Sequence, residues 1–174
     1  MIPETYYITD IGKGGLGIMP RPRGNDWLED EIQSLKYLGY SVVVSFLTKV
    51  EELELELEEE NNFCKKNDVE FISFPIIDRG VPAEQEFLAL VSDLYNKIIK
   101  GEKIILHCRG GIGRAGITAS SILIKHGLIS NDAFERVSKA RKINVPDTEE
   151  QKNWVQNIEQ LLRTEPNDSA DAAR

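Results

Sequence analysis

Residues 103–127, KIILHCRGGIGRAGITASSILIKHG, set a cysteine, three glycines and two arginines between an apolar run and a helix-like one. Cys108 supplies a sulfur nucleophile, and Arg114 supplies a planar fork that can hold two oxygens of an oxyanion at once. Gly110, Gly111 and Gly113 permit positive φ angles and close backbone approach. The N–H groups of Arg109, Gly110, Gly111, Ile112, Gly113 and Arg114 can then point at one centre. A helix starting near Ala115 adds free amides and a partial positive charge. The turn reads as a phosphate cradle. It lacks the GxxxxGK[ST] pattern of nucleotide-binding loops, and a cysteine stands at its mouth instead. Beside Arg114 and a helix N-terminus the thiolate should be stabilised, so it could attack a cradled phosphorus in line and form a cysteinyl-phosphate. The bland alternative is an inert core thiol. His107 is expected to fix the loop by hydrogen bonding rather than to transfer protons.

Such a displacement needs an acid for the leaving oxygen. Asp78, in FPIIDRGVP, follows an apolar strand and enters a loop over the same sheet edge, although an aspartate there could simply be a turn residue. Arg21, Arg23, Arg79 and Arg109 also lie in Gly/Pro-rich loops. Arginine suits oxyanions better than lysine does, so Arg21, Arg23 and Arg79, with Arg109, are expected to form a cationic rim.

Placing these residues requires strands that end where helices begin. TYYITDIGKGGLGIM reads as two strands about a Gly turn, and SVVVSFL, VEFISFPIID and KIILH as buried strands. Helical spacing predicts a helix from NDWLEDEIQSLKYLGY, capped by Asn25 or Asp26 and stopped by Gly39. A second follows in TKVEELELELEEENNFCKKN, where a Thr48/Glu51 capping box outweighs the Leu/Glu alternation. AEQEFLALVSDLYNKIIKG packs Phe87, Leu90, Val91, Leu94 and Ile98, and further helices are expected over 115–126, 131–141 and from DTEEQKNW to Leu162. Alternating strands and helices predict an α/β fold, a mostly parallel central sheet flanked by helices, as one domain over residues 1–162. The tail 163–174 has no apolar face and is expected to be disordered.

The totals agree with this. The 174 residues suffice for one core, with 41% hydrophobic and 29% charged residues. The net charge of −8 argues against nucleic acid as a bulk electrostatic partner but not against a small anionic substrate. No run approaches the ~18 apolar residues of a membrane span, and the N-terminus has no signal pattern. Two cysteines make no disulfide framework, and a reducing cytoplasm is the expected location. Cys64 reads as a core residue, with a reversible disulfide to Cys108 as a minor alternative.

His107-Cys108-x5-Arg114 with Asp78 upstream resembles the cysteine-dependent protein tyrosine and dual-specificity phosphatases. LGIMPRPRGNDWLEDEIQSLKYLGYSVVVSFLTKVEE, FPIIDRGVP and HCRGGIGRAG together resemble the bacterial relatives of the cyclin-dependent kinase-associated phosphatase, over nearly all of residues 6–162. A bare C-x5-R says little; the ordered set carries the resemblance. The low-molecular-weight phosphatases, with the Cys loop at the N-terminus, order these parts differently.

The resemblance implies that Cys108 is the nucleophile, Arg114 the phosphate and transition-state ligand, and Asp78 the acid and then the base. It implies no metal or cofactor, and a phosphorylated protein or small anionic phosphoester as substrate, phosphoinositides included. Gln151 resembles a glutamine that positions the hydrolytic water, and equally reads as the closing residue of a capping box begun by Thr148. One departure is Ala115, where the family has Ser or Thr to stabilise the departing thiolate. Phospho-enzyme breakdown should be slow unless Thr118, Ser120 or Ser121 supplies that bond, Thr118 being best placed by spacing. A phosphate-binding pseudophosphatase and a rhodanese-like sulfur transferase are the rival readings, and neither requires Cys, Arg and Asp together.

Overall fold

The computed structural model describes residues 2–164. Five short runs pair as strands: β1 (Tyr6–Ile11), β2 (Gly14–Met19), β3 (Val42–Ser45), β4 (Glu70–Ser73) and β5 (Lys103–His107). Their order is β1-β2-β5-β3-β4, with β1 antiparallel to β2 and the other three pairings parallel. Met19 and Ser45 both stand opposite His107, and Ser73 stands opposite Ser45. The four parallel strands therefore end level, and the chain leaves all of them along one edge.

The eight helices among the described residues are α1 (Leu28–Tyr37), α2 (Lys49–Glu54), α3 (Glu60–Lys66), α4 (Glu84–Lys100), α5 (Arg114–Lys125), α6 (Ser130–Arg141), α7 (Glu149–Asn157) and α8 (Glu159–Thr164). Successive strand residues face opposite ways, so the sheet feeds two cores. Leu16, Ile18, Val42, Val44, Ile104 and Leu106 pack with Phe87, Val91, Leu94 and Ile98 of α4 and with Ile117 and Ile122 of α5. Met19, Val43 and Ile105 face the other way, against Leu28, Ile32 and Leu35 of α1 and Cys64 of α3. Each such side chain, removed from water, contributes about 1.5–3 kcal/mol.

Several expectations are corrected. The acidic stretch is two helices, not one. Thr48 and Glu51 do form the capping box of α2, but the Leu/Glu alternation then interrupts the helix between Glu54 and Glu60. Leu57 is buried, Glu56 has φ +57°, and its carbonyl accepts from Asn25 N–H at 3.1 Å. Gly24 lets the chains meet, since a Cβ there would lie 2.1 Å from the Leu55 carbonyl. A 3-10 turn over Asn25–Trp27 precedes α1, and no side chain caps either element. β4 is an edge strand with partly exposed residues rather than a buried one. The last predicted helix breaks at Ile158, and its second part runs to Thr164, past the predicted limit at 162. The rest of the predicted tail, 165–174, lies outside the described residues. Among those described, no helix is long and apolar enough to cross a membrane.

Candidate active site

β5 ends at His107, α5 begins at Arg114, and the six residues between them turn along the level edge of the sheet. Gly111 carries the conformational demand of this turn. Its φ is +64°, and a Cβ there would sit 2.2 Å from the Met19 carbonyl oxygen. Gly113 serves close approach only, because a Cβ would meet the Gln151 amide at 3.0 Å and Asp147 at 3.2 Å. Gly110 serves neither purpose, contrary to expectation, since a side chain there would touch only Ile112 at 3.6 Å.

Asp78, Arg79, Cys108, Arg109, Gly110, Ile112, Gly113, Arg114 and Asp147 line a cavity of about 220 Å³ over this turn. The structure thus brings Cys108, Arg114 and Asp78 together from two loops thirty positions apart. Cys108 is 3% exposed and Arg114 1% exposed.

Taking a guanidinium out of water is costly, and here the cost is offset by acceptors on both Nη atoms. Arg114 Nη1 donates to Glu51 Oε2 at 2.7 Å, to the Ile76 carbonyl at 2.9 Å and to the Phe46 carbonyl at 3.3 Å. Nη2 donates to Glu51 Oε1 at 2.9 Å and to Asp78 Oδ1 at 3.0 Å. Only Nε has no partner. Burial alone would lower the Arg114 pKa, but Glu51, Cys108 and Asp78 together hold it above its ordinary value. Burial pushes Glu51 up, yet its bonds with Arg114 and Thr48 bring it down to about 2.

Glu51 is the residue that sequence reasoning missed. Its capping box was visible in the sequence, but nothing local announces that the same carboxylate also forks onto Arg114. Asp147 was missed likewise; it lines the cavity and lies 3.7 Å from Arg79.

His107, expected to fix the loop, is bonded not to the loop but to a helix residue. Its Nε2 lies 2.8 Å from Glu60 Oε1, both residues being buried on the far face of the sheet. Gln151 closes the capping box of α7 with Thr148 and also donates from Nε2 to the Gly80 carbonyl at 3.1 Å. It thereby ties the Asp78 loop to the cradle.

Thr118 does not do what its spacing suggested. Its hydroxyl donates to the Arg114 carbonyl at 3.0 Å, within its own helix. Ser120 and Ser121 lie about 8–9 Å further along the helix axis than Ala115, beyond reach of the cysteine. No hydroxyl of α5 replaces the one absent at Ala115.

The expected rim is also reduced. Arg79 and Arg109 line the cavity, whereas Arg21 and Arg23 do not. Arg21 Nη1 donates to the Pro22 carbonyl, and Arg23 pairs with Glu31 and stacks on Trp27. Arg109 in turn pairs with Glu54 at 2.8 Å. Cys64 and Cys108 are both free, and they belong to cores on opposite faces of the sheet. Among the described residues no three His, Cys, Asp or Glu side chains converge as metal ligands would.

Known proteins share this fold. The solved structure of the kinase associated phosphatase, with its catalytic-site cysteine replaced by serine, superposes with a TM-score of 0.81 at 17% identity, covering 95% of this chain and 99% of that one. Tk-PTP in its active form gives 0.71 at 23% identity, covering 89% and 97%. At such identities the likeness is one of fold. In sequence, protein 197R of invertebrate iridescent virus 6, provisionally named a tyrosine phosphatase, is 36% identical over 95 residues, which are 52% of this chain and 34% of the viral protein. Protein 067L of invertebrate iridescent virus 3, named in the same way, is 35% identical over 105 residues, 54% of this chain and 38% of that protein. The chain therefore aligns with little more than a third of either viral relative. Residues 7–169 match the PTP-SAK family, the DSP-PTPase phosphatase domain of Swiss Army Knife proteins, and the chain belongs to that family.

Proposed function

We propose that this chain hydrolyses phosphomonoesters, as a tyrosine or dual-specificity type protein phosphatase acting through a cysteinyl-phosphate. The observation that carries the reading is a buried guanidinium with one unpartnered donor, in the same small cavity as a cysteine and an aspartate. A buried N–H without an acceptor is a standing cost, and a bound oxyanion removes it.

A phosphate dianion entering the cavity takes Arg114 Nε and competes with Asp78 for Nη2. The Cys108 thiolate attacks phosphorus and the bond to the leaving oxygen breaks, while Asp78, released from Arg114 and protonated from solvent as the dianion takes its place, gives that oxygen its proton. Water then attacks the phosphorus of the phospho-enzyme and gives a proton back to Asp78. The sulfur leaves as thiolate and phosphate departs. Gln151 lies beside Gly113 and is bonded to the Asp78 loop, which supports assigning it the orientation of that water.

The rim favours a singly phosphorylated group, because the mouth arginines Arg79 and Arg109 already face Asp147 and Glu54. Phosphoinositides form the second reading, prompted by PTPMT1, a neighbour in fold solved with PI(5)P. A nucleophilic cysteine in a chain whose second cysteine is also free suits a reducing compartment such as the cytoplasm, and a net charge of −8 disfavours nucleic acid as partner.

Hydrolysis of para-nitrophenyl phosphate, abolished by Cys108→Ser, is the first test. A folded wild-type protein that binds phosphate without turning it over would instead establish the pseudophosphatase. A panel of phosphopeptides and phosphoinositides then separates the two substrate classes by kcat/KM.

A further inference from the structure

A cradle of inward N–H groups is unstable by itself, because like dipoles converge on an empty centre. Something must hold the peptide planes. In a trans peptide the carbonyl and the next residue's N–H point in opposite directions. A group that grips a carbonyl from outside the loop therefore aims the following N–H inward.

Three consecutive carbonyls of this loop are gripped in that way. The Arg109 carbonyl accepts from the Arg21 backbone N–H at 3.2 Å. The Gly110 carbonyl accepts from Arg141 Nη2 at 2.9 Å, and the Gly111 carbonyl from Arg141 Nε at 3.1 Å. The matching inward donors are the N–H groups of Gly110, Gly111 and Ile112. One guanidinium fork thus sets two adjacent peptide planes, including the one at the positive-φ glycine.

Arg141 is itself held in place. It is the last residue of α6, which Lys142 ends in the left-handed conformation at φ +61°. Its guanidinium lies over the Tyr6 ring at 4.2 Å, and the Tyr6 hydroxyl is bonded to Glu4. The N-terminal strand and the end of α6 together present a fork to the back of the loop, on the side away from the reacting atoms.

We infer that Arg141 is a positioning residue for oxyanion binding: an outer clamp whose fork on the Gly110 and Gly111 carbonyls preorganises the cradle before any ligand arrives. The inference rests on the phosphate reading above. It touches no reacting atom and moves no proton. It works by sparing the loop the cost of ordering dipoles at the moment of binding.

The probe is tungstate, an inert tetrahedral dianion, titrated calorimetrically into the wild type, Arg141→Met, Arg141→Lys and Tyr6→Leu, with a thermal melt of each. Methionine keeps an apolar stem over Tyr6 but no donor. Lysine keeps the charge but cannot span two carbonyls with one ammonium. Arg141→Met and Arg141→Lys should both bind tungstate about tenfold more weakly, the loss expected when hydrogen bonds to a charged group go. Tyr6→Leu should weaken binding less, and kcat should fall in parallel with affinity. A merely structural role would lower the melting temperature without changing the affinity of the folded protein. Wild-type affinity in Arg141→Lys would mean that charge alone matters, and would overturn the clamp. If Arg141→Met does not fold, Arg141→Lys and Tyr6→Leu decide. A wild type that binds no tungstate would overturn the phosphate reading itself, a distinct result.

Discussion

On the proposed mechanism Asp78 and an incoming phosphate contend for one edge of Arg114, because Nη2 already donates a hydrogen bond to Asp78. Asp78→Asn removes a competing anion together with the acid. Tungstate should bind several-fold more tightly to this variant, while kcat falls about 10²–10³-fold for substrates with poor leaving groups; calorimetry and steady-state kinetics read the two effects separately. Ala115 presents a second contrast. With Thr118 bonded to its own helix, no hydroxyl of α5 is left to stabilise the departing sulfur. Rapid-quench kinetics should show a burst of product and slow turnover, and Ala115→Ser should raise the steady rate. Linear release from the first turnover would count against this account.

At the scale of elements, the turn after β5 and the helix α2 hold the site from opposite sides. Gly111→Ala would drive a methyl into the Met19 carbonyl and strain a left-handed residue, at a cost of about 1–3 kcal/mol. The loop should open in response, so tungstate binding should be lost even in variant that remains folded by circular dichroism. α2 contributes through Glu51, whose carboxyl is held at about 2 against an ordinary 4.5. A depressed carboxyl stabilises the fold fully above its unfolded pKa, and that contribution is lost as pH falls from about 4.5 towards 2. Glu51→Gln strands a buried guanidinium and should cost about 3 kcal/mol at pH 7. The gap between variant and wild type should narrow steadily below pH 4.5, as read by denaturant melts across that range. A constant gap would show that Glu51 ionisation is not what holds Arg114.

Across the whole molecule, the sheet is a partition. Cys64 packs with α1 and α3 on one face, and Cys108 belongs to the core on the other. A disulfide needs Cα atoms within about 7 Å and Cβ vectors that converge, so the protective Cys64–Cys108 bond considered from sequence has no route through the strands. Mild peroxide followed by non-reducing peptide mapping should yield Cys108 oxidised singly and no 64–108 crosslink. Burial, with the nearby Glu60 charge, raises the Cys64 pKa strongly, so its thiolate should be too scarce to react. The same partition explains the pair behind the proposed nucleophile: His107 reaches Glu60 on one face while Cys108 belongs to the core on the other.

What the sequence determined by itself was local chemistry and period. The Cys108-x5-Arg114 spacing, the glycine turn, the α4 stripe and the Thr48 and Thr148 capping boxes depend on neighbours within a few residues, so spacing alone reveals them; Asp78, thirty positions upstream, is legible only through the strand before it and the family resemblance. Fold class followed from the alternation of strand and helix patterns. Only the tertiary structure decided the rest, because each remaining answer depends on what lies across a gap in the chain. Gly24 against Leu55 and Asn25 on Glu56 interrupt a helix that local signals would continue. Glu31 and Trp27 withdraw Arg23 from the rim. Glu51 reaches Arg114 across 63 positions, and Arg141 reaches the cradle across 30. Buried charges and turned peptide planes must find partners somewhere, but the sequence does not say where until the sheet has set its edges level.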